Sequence, residues 1–160
     1  MGSVCFLALS TSERDHFDPP EPIFGPAVSA ALTSTLFDID EAAKCFAVGR
    51  YTACVFHLMR VMELGVQRLG ETLQVKIDTR NETWHQILLH VNVAIEQMPR
   101  KTEEEKAAKI QYATCAAHLS NVRIAWRNEV MHPKATYTED EARDILSHVK
   151  TFTRDLAKLL

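Results

Sequence analysis

The stretch YTACVFHLMRVMELGVQRLGETL, residues 51–73, decides the fold class of this chain. Its apolar side chains recur three or four positions apart, which is the period of an α-helix. The recurring positions are Val55, Leu58, Met59, Met62, Val66 and Leu69. Phe56, Val61 and Leu64 add apolar side chains on other faces of the same helix. A helix that is apolar on several faces is either central in a bundle or faces a second subunit.

Helical patterns also flank this stretch. Before it, a first helix is predicted over about residues 27–48, with a break near Phe37 and Asp38 and an end at Gly49. After it, residues 75–82 form a predicted linker, and a third helix is predicted over residues 84–98. This third helix ends where a proline follows it in the sequence.

Two threonines, each followed three positions later by glutamate, mark the starts of the last two helices. Thr102 and Thr138 begin this capping-box pattern, in which the two side chains satisfy free backbone N–H groups. They predict a fourth helix to about Met131 and a last helix to Leu160. Strand patterns and internal repeats are absent. The predicted fold is therefore all-α, an up-and-down helical bundle of four long helices plus a shorter helix.

The chain of 160 residues is long enough for one domain with its own core. Residues 1–26 contain a cluster of prolines that disfavours regular structure, so we expect an irregular N-terminal arm there. Residues 27–160 hold the predicted bundle. Apolar residues make up 46% of the chain, which is typical of a globular protein.

Charge and cysteine usage exclude several classes of protein. The formal net charge is -3, so the chain lacks the broad basic field of a general nucleic-acid coat protein, and any RNA contact has to be local. Four scattered cysteines form no CxxC pair and a signal-peptide pattern is absent, so we expect a cytoplasmic protein. No apolar run approaches the ~18 residues of a membrane span, and no membrane contact is expected.

A candidate site lies in RNEVMHP, residues 127–133, where the predicted fourth helix ends. Pro133 disfavours helix at His132, so the histidine ring can turn back toward Arg127. Asn128 lies four positions before His132 and can orient its imidazole. Arginine binds phosphate through a bidentate fork, and histidine moves protons near neutral pH. We therefore predict that Arg127, Asn128 and His132 are catalytic residues acting on a nucleic-acid phosphate.

The RxxxxH spacing alone is weak evidence, because it occurs twice more in the chain. Arg80 and His85 lie where a linker enters a helix. Arg143 and His148 lie in the middle of a predicted helix, where their side chains diverge. Only the match that begins at Arg127 lies at the predicted end of a long helix, where a proline follows the histidine.

A purely structural interpretation of the same residues stays open. Arg127 can form a salt bridge with Glu129 or Glu141. His132 can cap the helix by bonding its last carbonyl groups.

Three further residues near the motif are candidates for binding RNA. They are Arg123, Lys134 and His118. Arg123 and His118 lie on the same predicted helix as the motif and can extend a polar groove toward RNA. An ordinary exposed helix face is the alternative for both.

Metal and cofactor patterns are weak in this chain. Two Cys-x-x-His pairs, Cys54 with His57 and Cys115 with His118, match part of the spacing of a zinc site. Cysteine and histidine inside apolar stretches usually fill the core, so no metal site is predicted. Glycine-rich phosphate loops and the HExxH pattern are absent, and no cofactor is expected.

The predicted bundle, with RNEVMHP followed by YTEDEA, resembles the HEPN superfamily. GRYTACVFHLMRVMELGVQRL, residues 49–69, is similar to a helix of uncharacterised bacterial HEPN-like proteins. The resemblance covers roughly residues 30–160. Many members carry an arginine, then a polar residue that is often asparagine, then a histidine four to six positions after the arginine. Arg127, Asn128 and His132 fit those three positions.

In catalytic members of that superfamily two chains pair, and the facing motifs cleave RNA without a metal ion. The resemblance implies a homodimer through the second and fourth helices, and a ribonuclease of a bacterial toxin or defence system with an antitoxin or other protein partner. His132 would take the proton of a ribose 2′-hydroxyl, and the 2′-oxygen would attack the adjacent phosphate. The second subunit's His132 would act as the acid. Other members are non-catalytic modules that dimerise or bind a partner protein or nucleotide, and this alternative stays open.

Overall fold

The structure is a computed structural model that describes residues 6–78, 81–82, 84–127 and 136–160, without the side chains of residues 84 and 120–127. Every regular element in this part of the chain is helical, and it contains no strand. The helices are α1 (Thr11–Phe17), α2 (Pro26–Ala31), α3 (Leu36–Ala47), α4 (Tyr51–Thr72), α5 (Trp84–Gln97), α6 (Glu103–Arg127) and α7 (Glu139–Ala157). The all-α helical bundle that the sequence predicts is confirmed.

Both predicted capping boxes are present. At the start of α7 the Glu141 backbone N–H donates to the Thr138 hydroxyl at 3.4 Å, and the Thr138 N–H donates to the Glu141 carboxylate at 2.8 Å. At the start of α6 the corresponding distances between Glu105 and Thr102 are 3.2 and 3.1 Å. Because the first turn of a helix has free N–H groups, these bonds determine where each helix begins.

The turn between α3 and α4 depends on Gly49. Its φ of 70° lies in the left-handed region, which glycine adopts without a steric cost. The Arg50 N–H donates to the Cys45 carbonyl at 2.7 Å and the Gly49 N–H donates to the Phe46 carbonyl at 3.1 Å. This pair of bonds is a Schellman motif, which closes α3 and turns the chain directly into α4.

The first predicted helix is divided earlier than the sequence indicated. The break is a 3-10 turn, Thr33–Thr35, between α2 and α3, and not the region of Phe37. Thr35 is buried, and its hydroxyl donates to the Leu32 carbonyl at 2.7 Å. Such a side-chain bond competes with the helical ladder, so α3 begins anew at Leu36.

The bounds of the later helices agree closely with prediction. Helices α4 and α5 each end one residue before the expected position, at Thr72 and Gln97. The predicted end of the fourth helix at Met131 lies outside the described residues, and α6 is described as far as Arg127.

Helix α4 lies at the centre of the bundle, where it packs against α3 and α7. Its side chains Leu58, Met62, Val66 and Leu69 have no exposed surface. The several apolar faces of this helix are therefore explained by its central position. Helix α7 runs in the same direction as α4, because Tyr51 contacts Glu139 near both starts and residue 65 meets residue 152 further along.

Gly65 permits the close approach of α4 to α7. A Cβ at this position would lie 2.6 Å from Cε1 of Phe152, which is shorter than the non-bonded contacts that Cβ atoms make in proteins. Phe152 is fully buried, so its ring has little room to move. The absence of a side chain at residue 65 thus determines how deeply the ring enters the core.

The N-terminal arm contains one helix that the sequence analysis missed. Helix α1 begins with a capping box in which the Ser10 N–H donates to Glu13 at 2.6 Å. The arm packs on the bundle: the rings of His16 and Phe46 lie 5.2 Å apart, and Phe24 is only 2% exposed. The expectation of an irregular arm was therefore wrong for Thr11–Phe17, because local capping there outweighs the effect of the prolines that follow.

Candidate functional site

The RNEVMHP sequence begins at Arg127 in α6 and precedes α7 along the chain. These two helices pack against each other, and the Tyr137 N–H just before α7 donates to Oγ1 of Thr52 at 3.1 Å. The starts of α7 and α4 therefore meet at one end of the bundle. We call this the motif end, because the chain enters α7 here from the motif residues.

The predicted catalytic side chains lie outside the described part of the chain. Asn128, His132 and Lys134 are not described, and only the backbone is described at Arg123 and Arg127. That backbone belongs to α6, as the sequence predicted. The grouping of these side chains into one site stays a prediction.

His118 is the one predicted RNA-binding side chain within the described residues. Its Nε2 lies 3.0 Å from Oδ2 of Asp155, so it joins α6 to α7. Bonds from Lys158 and His118 hold the pKa of Asp155 below its usual value, against the opposing effect of burial. His118 therefore has a structural partner, and its contact with RNA stays a prediction.

A groove of about 560 Å³ opens at the motif end. Its described lining consists of residues 49–53, Phe56 and Tyr137. The Tyr51 hydroxyl donates to Glu139 at 2.9 Å, which raises the pKa of the tyrosine and lowers that of the glutamate. The groove thus has an aromatic and partly basic wall, with Arg50 and Phe56 on its α4 side.

A buried carboxylate organises a second group of side chains beside this groove. Asp38 in α3 is 2% exposed, and its Oδ1 lies 2.8 Å from Nδ1 of His57 and accepts from Nε of Arg60 at 2.8 Å. The bond to Asp38 raises the pKa of Arg60. Because a buried carboxylate needs charged or hydrogen-bonded partners, Asp38 holds both α4 side chains in a defined orientation.

Two aromatic rings flank this group. The ring of Phe37 lies 6.2 Å from that of His57 and the ring of Phe56 lies 5.7 Å from it, both edge-on. Phe37 is 67% exposed and Phe56 is 38% exposed, which is unusual for large apolar side chains. We call Phe37, Phe56, His57 and Arg60 the aromatic–basic surface.

This surface was not predicted from the sequence. There His57 is a candidate only as part of a Cys-x-x-His pair, and Asp38 only marks a helix break. The available signal was the i, i+3 spacing of His57 and Arg60 on one face of α4, opposite an acidic residue in the preceding helix. The pairing itself depends on the Gly49 turn, which brings α3 back along α4.

The two Cys-x-x-His pairs are separate structural features. Cys54 and Cys115 are fully buried, and burial raises the pKa of each thiol to about 12. A thiol in such surroundings stays protonated and inert near neutral pH. His57 and His118 are bonded to Asp38 and Asp155. Among the described residues no three possible ligands are grouped as a metal site.

No protein-family model matches the sequence, and no curated protein and no solved structure matches the chain. The proposed function therefore depends on the sequence pattern and the fold of this chain. No helix in the described ranges is long and apolar enough to cross a membrane.

Proposed function

We propose that this chain is a HEPN-like, metal-independent endoribonuclease. Arg127 would hold the scissile phosphate, Asn128 would orient the imidazole of His132, and His132 would take the proton of the ribose 2′-hydroxyl. The 2′-oxygen then attacks the adjacent phosphorus, and the bond from phosphorus to the 5′-oxygen breaks. The products are a 2′,3′-cyclic phosphate and a free 5′-hydroxyl.

One observation supports the proposal: RNEVMHP begins at Arg127 in α6, a long helix that packs against α7, and the start of α7 lies at the end of the bundle where the groove opens. The other two RxxxxH matches lack this setting. His148 is an exposed residue within α7, and His85 is the second residue of α5, so neither match lies at the end of a long helix. The all-α bundle agrees with the resemblance from which the roles of the three residues come.

The remaining parts of the proposal are a homodimer and a cellular role. The second subunit's His132 supplies the acid that protonates the leaving 5′-oxygen, which a single motif cannot provide while its own histidine is the base. Because the buried side chains of α4 pack within its own bundle, the proposed dimer contact uses the exposed faces of α4 and α6. The cellular role is that of a cytoplasmic toxin or defence protein, with an antitoxin as its protein partner.

The experiment compares the wild type, His132→Ala and His148→Ala on total RNA in EDTA. His148→Ala is the matched control, since it removes an exposed histidine from another RxxxxH match. The expected result is cleavage by the wild type and by His148→Ala only, with cyclic phosphate at the fragment ends. Absence of cleavage by the wild type would refute the ribonuclease. Equal cleavage by His132→Ala would exclude this histidine as the base.

A second candidate function is a non-catalytic interaction module that binds a partner protein or nucleotide. The observation that favours it is a set of exposed apolar side chains on α5 and α6. Leu89 is 52% exposed, Val93 is 46% exposed and Ile110 is 65% exposed. Such side chains are candidates for a protein contact. Failure of the wild type to cleave RNA would favour this function.

A further inference from the structure

We propose that the aromatic–basic surface binds an unpaired nucleotide of RNA, with its base stacked on the patch that Phe37 and Phe56 form together and its phosphate held by Arg60. This inference rests on the proposed ribonuclease function, because it assigns a substrate-binding surface beside the proposed catalytic motif. It also specifies the substrate class, which is RNA with an unpaired segment at the bound position.

The exposed rings have the properties of a base-stacking platform. Phe37 and Phe56 lie within 6.2 Å of the same imidazole, so the three rings form one contiguous patch. Every nucleobase has an apolar face that stacks on an aromatic ring, and such contacts tolerate differences in sequence. Exposure of 67% for Phe37 leaves most of its ring accessible.

Arg60 supplies the matching charge for a phosphate. Asp38 engages Nε of Arg60, and the side chain as a whole remains 54% exposed. The proposed contact uses the outer edge of the guanidinium, which is a part of arginine that binds a phosphate oxygen pair.

The surface is continuous with the motif end. Thr52, Phe56 and Arg60 follow one another at four-residue spacing, so they lie along one face of α4. Thr52 accepts the bond from Tyr137, and Phe56 lines both the groove and the aromatic–basic surface. At 1.5 Å per residue the path from Thr52 to Arg60 is about 12 Å, a length of two or three nucleotides.

The composition of the surface matches the two parts of a nucleotide. Arg60 is 54% exposed and can bind a phosphate, and the exposed rings of Phe37 and Phe56 can stack on a base. The net charge of -3 makes a local contact of this kind necessary for binding RNA.

The test measures binding of a short, fluorescein-labelled 2′-O-methyl oligoadenylate by fluorescence anisotropy. This probe keeps the bases and phosphates but has no free 2′-hydroxyl, so it binds without being cleaved. Phe37→Ala and Phe56→Ala are the test variants, and Leu160→Ala, an exposed apolar residue outside this surface, is the matched control. We expect Kd to rise about 5- to 150-fold in each test variant and to stay unchanged in the control.

Several results would overturn the inference. They are absence of binding by the wild type, equal affinity of Phe37→Ala and the wild type, and equal affinity for the same oligomer in a duplex. Conversion of a dimer to a monomer by Phe37→Ala, measured by sedimentation, would assign the surface to a second copy of this chain instead. Circular dichroism of each variant verifies its folding.

The same variants separate this inference from the proposed ribonuclease. His132→Ala is expected to abolish cleavage of total RNA and to bind the 2′-O-methyl probe as the wild type does. Phe37→Ala is expected to raise KM for cleavage with little change in kcat. Phe37-dependent binding without any cleavage would refute only the ribonuclease. Cleavage with unchanged binding in Phe37→Ala would refute only the stacking surface.

Discussion

Asp38 joins the two halves of the α3–α4 pair through a single side chain. It is almost completely buried, and its Oδ1 lies within hydrogen-bonding distance of His57 and Arg60. The cost of burying a carboxylate is offset only when such bonds are present. A residue that looks like a surface aspartate in the sequence is therefore part of the packed interior.

We predict that Asp38→Asn lowers the free energy of unfolding by about 1–3 kcal/mol, because a buried charged hydrogen-bond acceptor is lost. The matched control is Asp40→Asn. Asp40 lies two residues along the same helix, but its contact with Lys44 is at the exposed surface. The control should have an almost unchanged free energy of unfolding. Urea denaturation of both variants measures the difference, and equal stabilities would contradict a structural role for Asp38.

At the scale of elements, the beginning of α7 combines local and tertiary contacts. Thr138 and Glu141 form the capping box, and Tyr137 is bonded to Thr52 in α4. Further along, Phe152 and Leu156 are fully buried against the centre of the bundle. The capping box therefore determines where α7 begins, and with it which residues of α7 face the core.

We predict that Thr138→Ala lowers the free energy of unfolding by about 1 kcal/mol, because an N-cap hydroxyl is removed. Thr138→Ser keeps the hydroxyl and should be nearly neutral. Hydrogen bonds from Thr138 hold the pKa of Glu141 below its usual value. A lowered carboxyl pKa contributes stability above the unfolded pKa, and this contribution is lost as pH falls through the folded pKa.

The destabilisation by Thr138→Ala should therefore be larger at pH 7 than at pH 3. Thermal unfolding at both pH values measures it. If Thr138→Ala lowers the free energy of unfolding equally at pH 3 and pH 7, the charged form of Glu141 takes no part in the cap.

At the scale of the whole molecule, one core extends from the arm to the last helix. Phe24, Leu58, Val91 and Phe152 belong to the same buried cluster, although they come from four different segments. The α5–α6 pair and the α3–α4 pair are thus joined through shared buried side chains. A single core predicts a single cooperative unfolding transition.

We predict that Leu58→Ala in α4 lowers the free energy of unfolding by about 2–5 kcal/mol and that Val91→Ala in α5 lowers it by a smaller amount. Both substitutions should lower the midpoint of a single unfolding transition. Tryptophan fluorescence and circular dichroism should report the same midpoint. Ile110→Ala, exposed on α6, serves as the control and should leave the midpoint in place. A separate early transition in Val91→Ala would show that α5 unfolds independently of the other helices.

The sequence by itself determined the positions of α4 to α7, but not α1 or the break between α2 and α3. Apolar spacing of three and four placed α4, and the threonine–glutamate pairs placed the starts of α6 and α7. These signals are local, because a helix satisfies its own backbone bonds and needs only a cap and one buried face.

Only the tertiary structure decided which side chains meet. The bond of His57 to Asp38 joins residues 19 positions apart, and that of His118 to Asp155 joins residues 37 positions apart. Their pairing depends on helix direction, on the Gly49 turn and on the close approach at Gly65. These relations arise from packing between helices, which the period of any single helix does not encode. The exposed rings around His57 thus became a candidate surface only once α3 was folded back along α4.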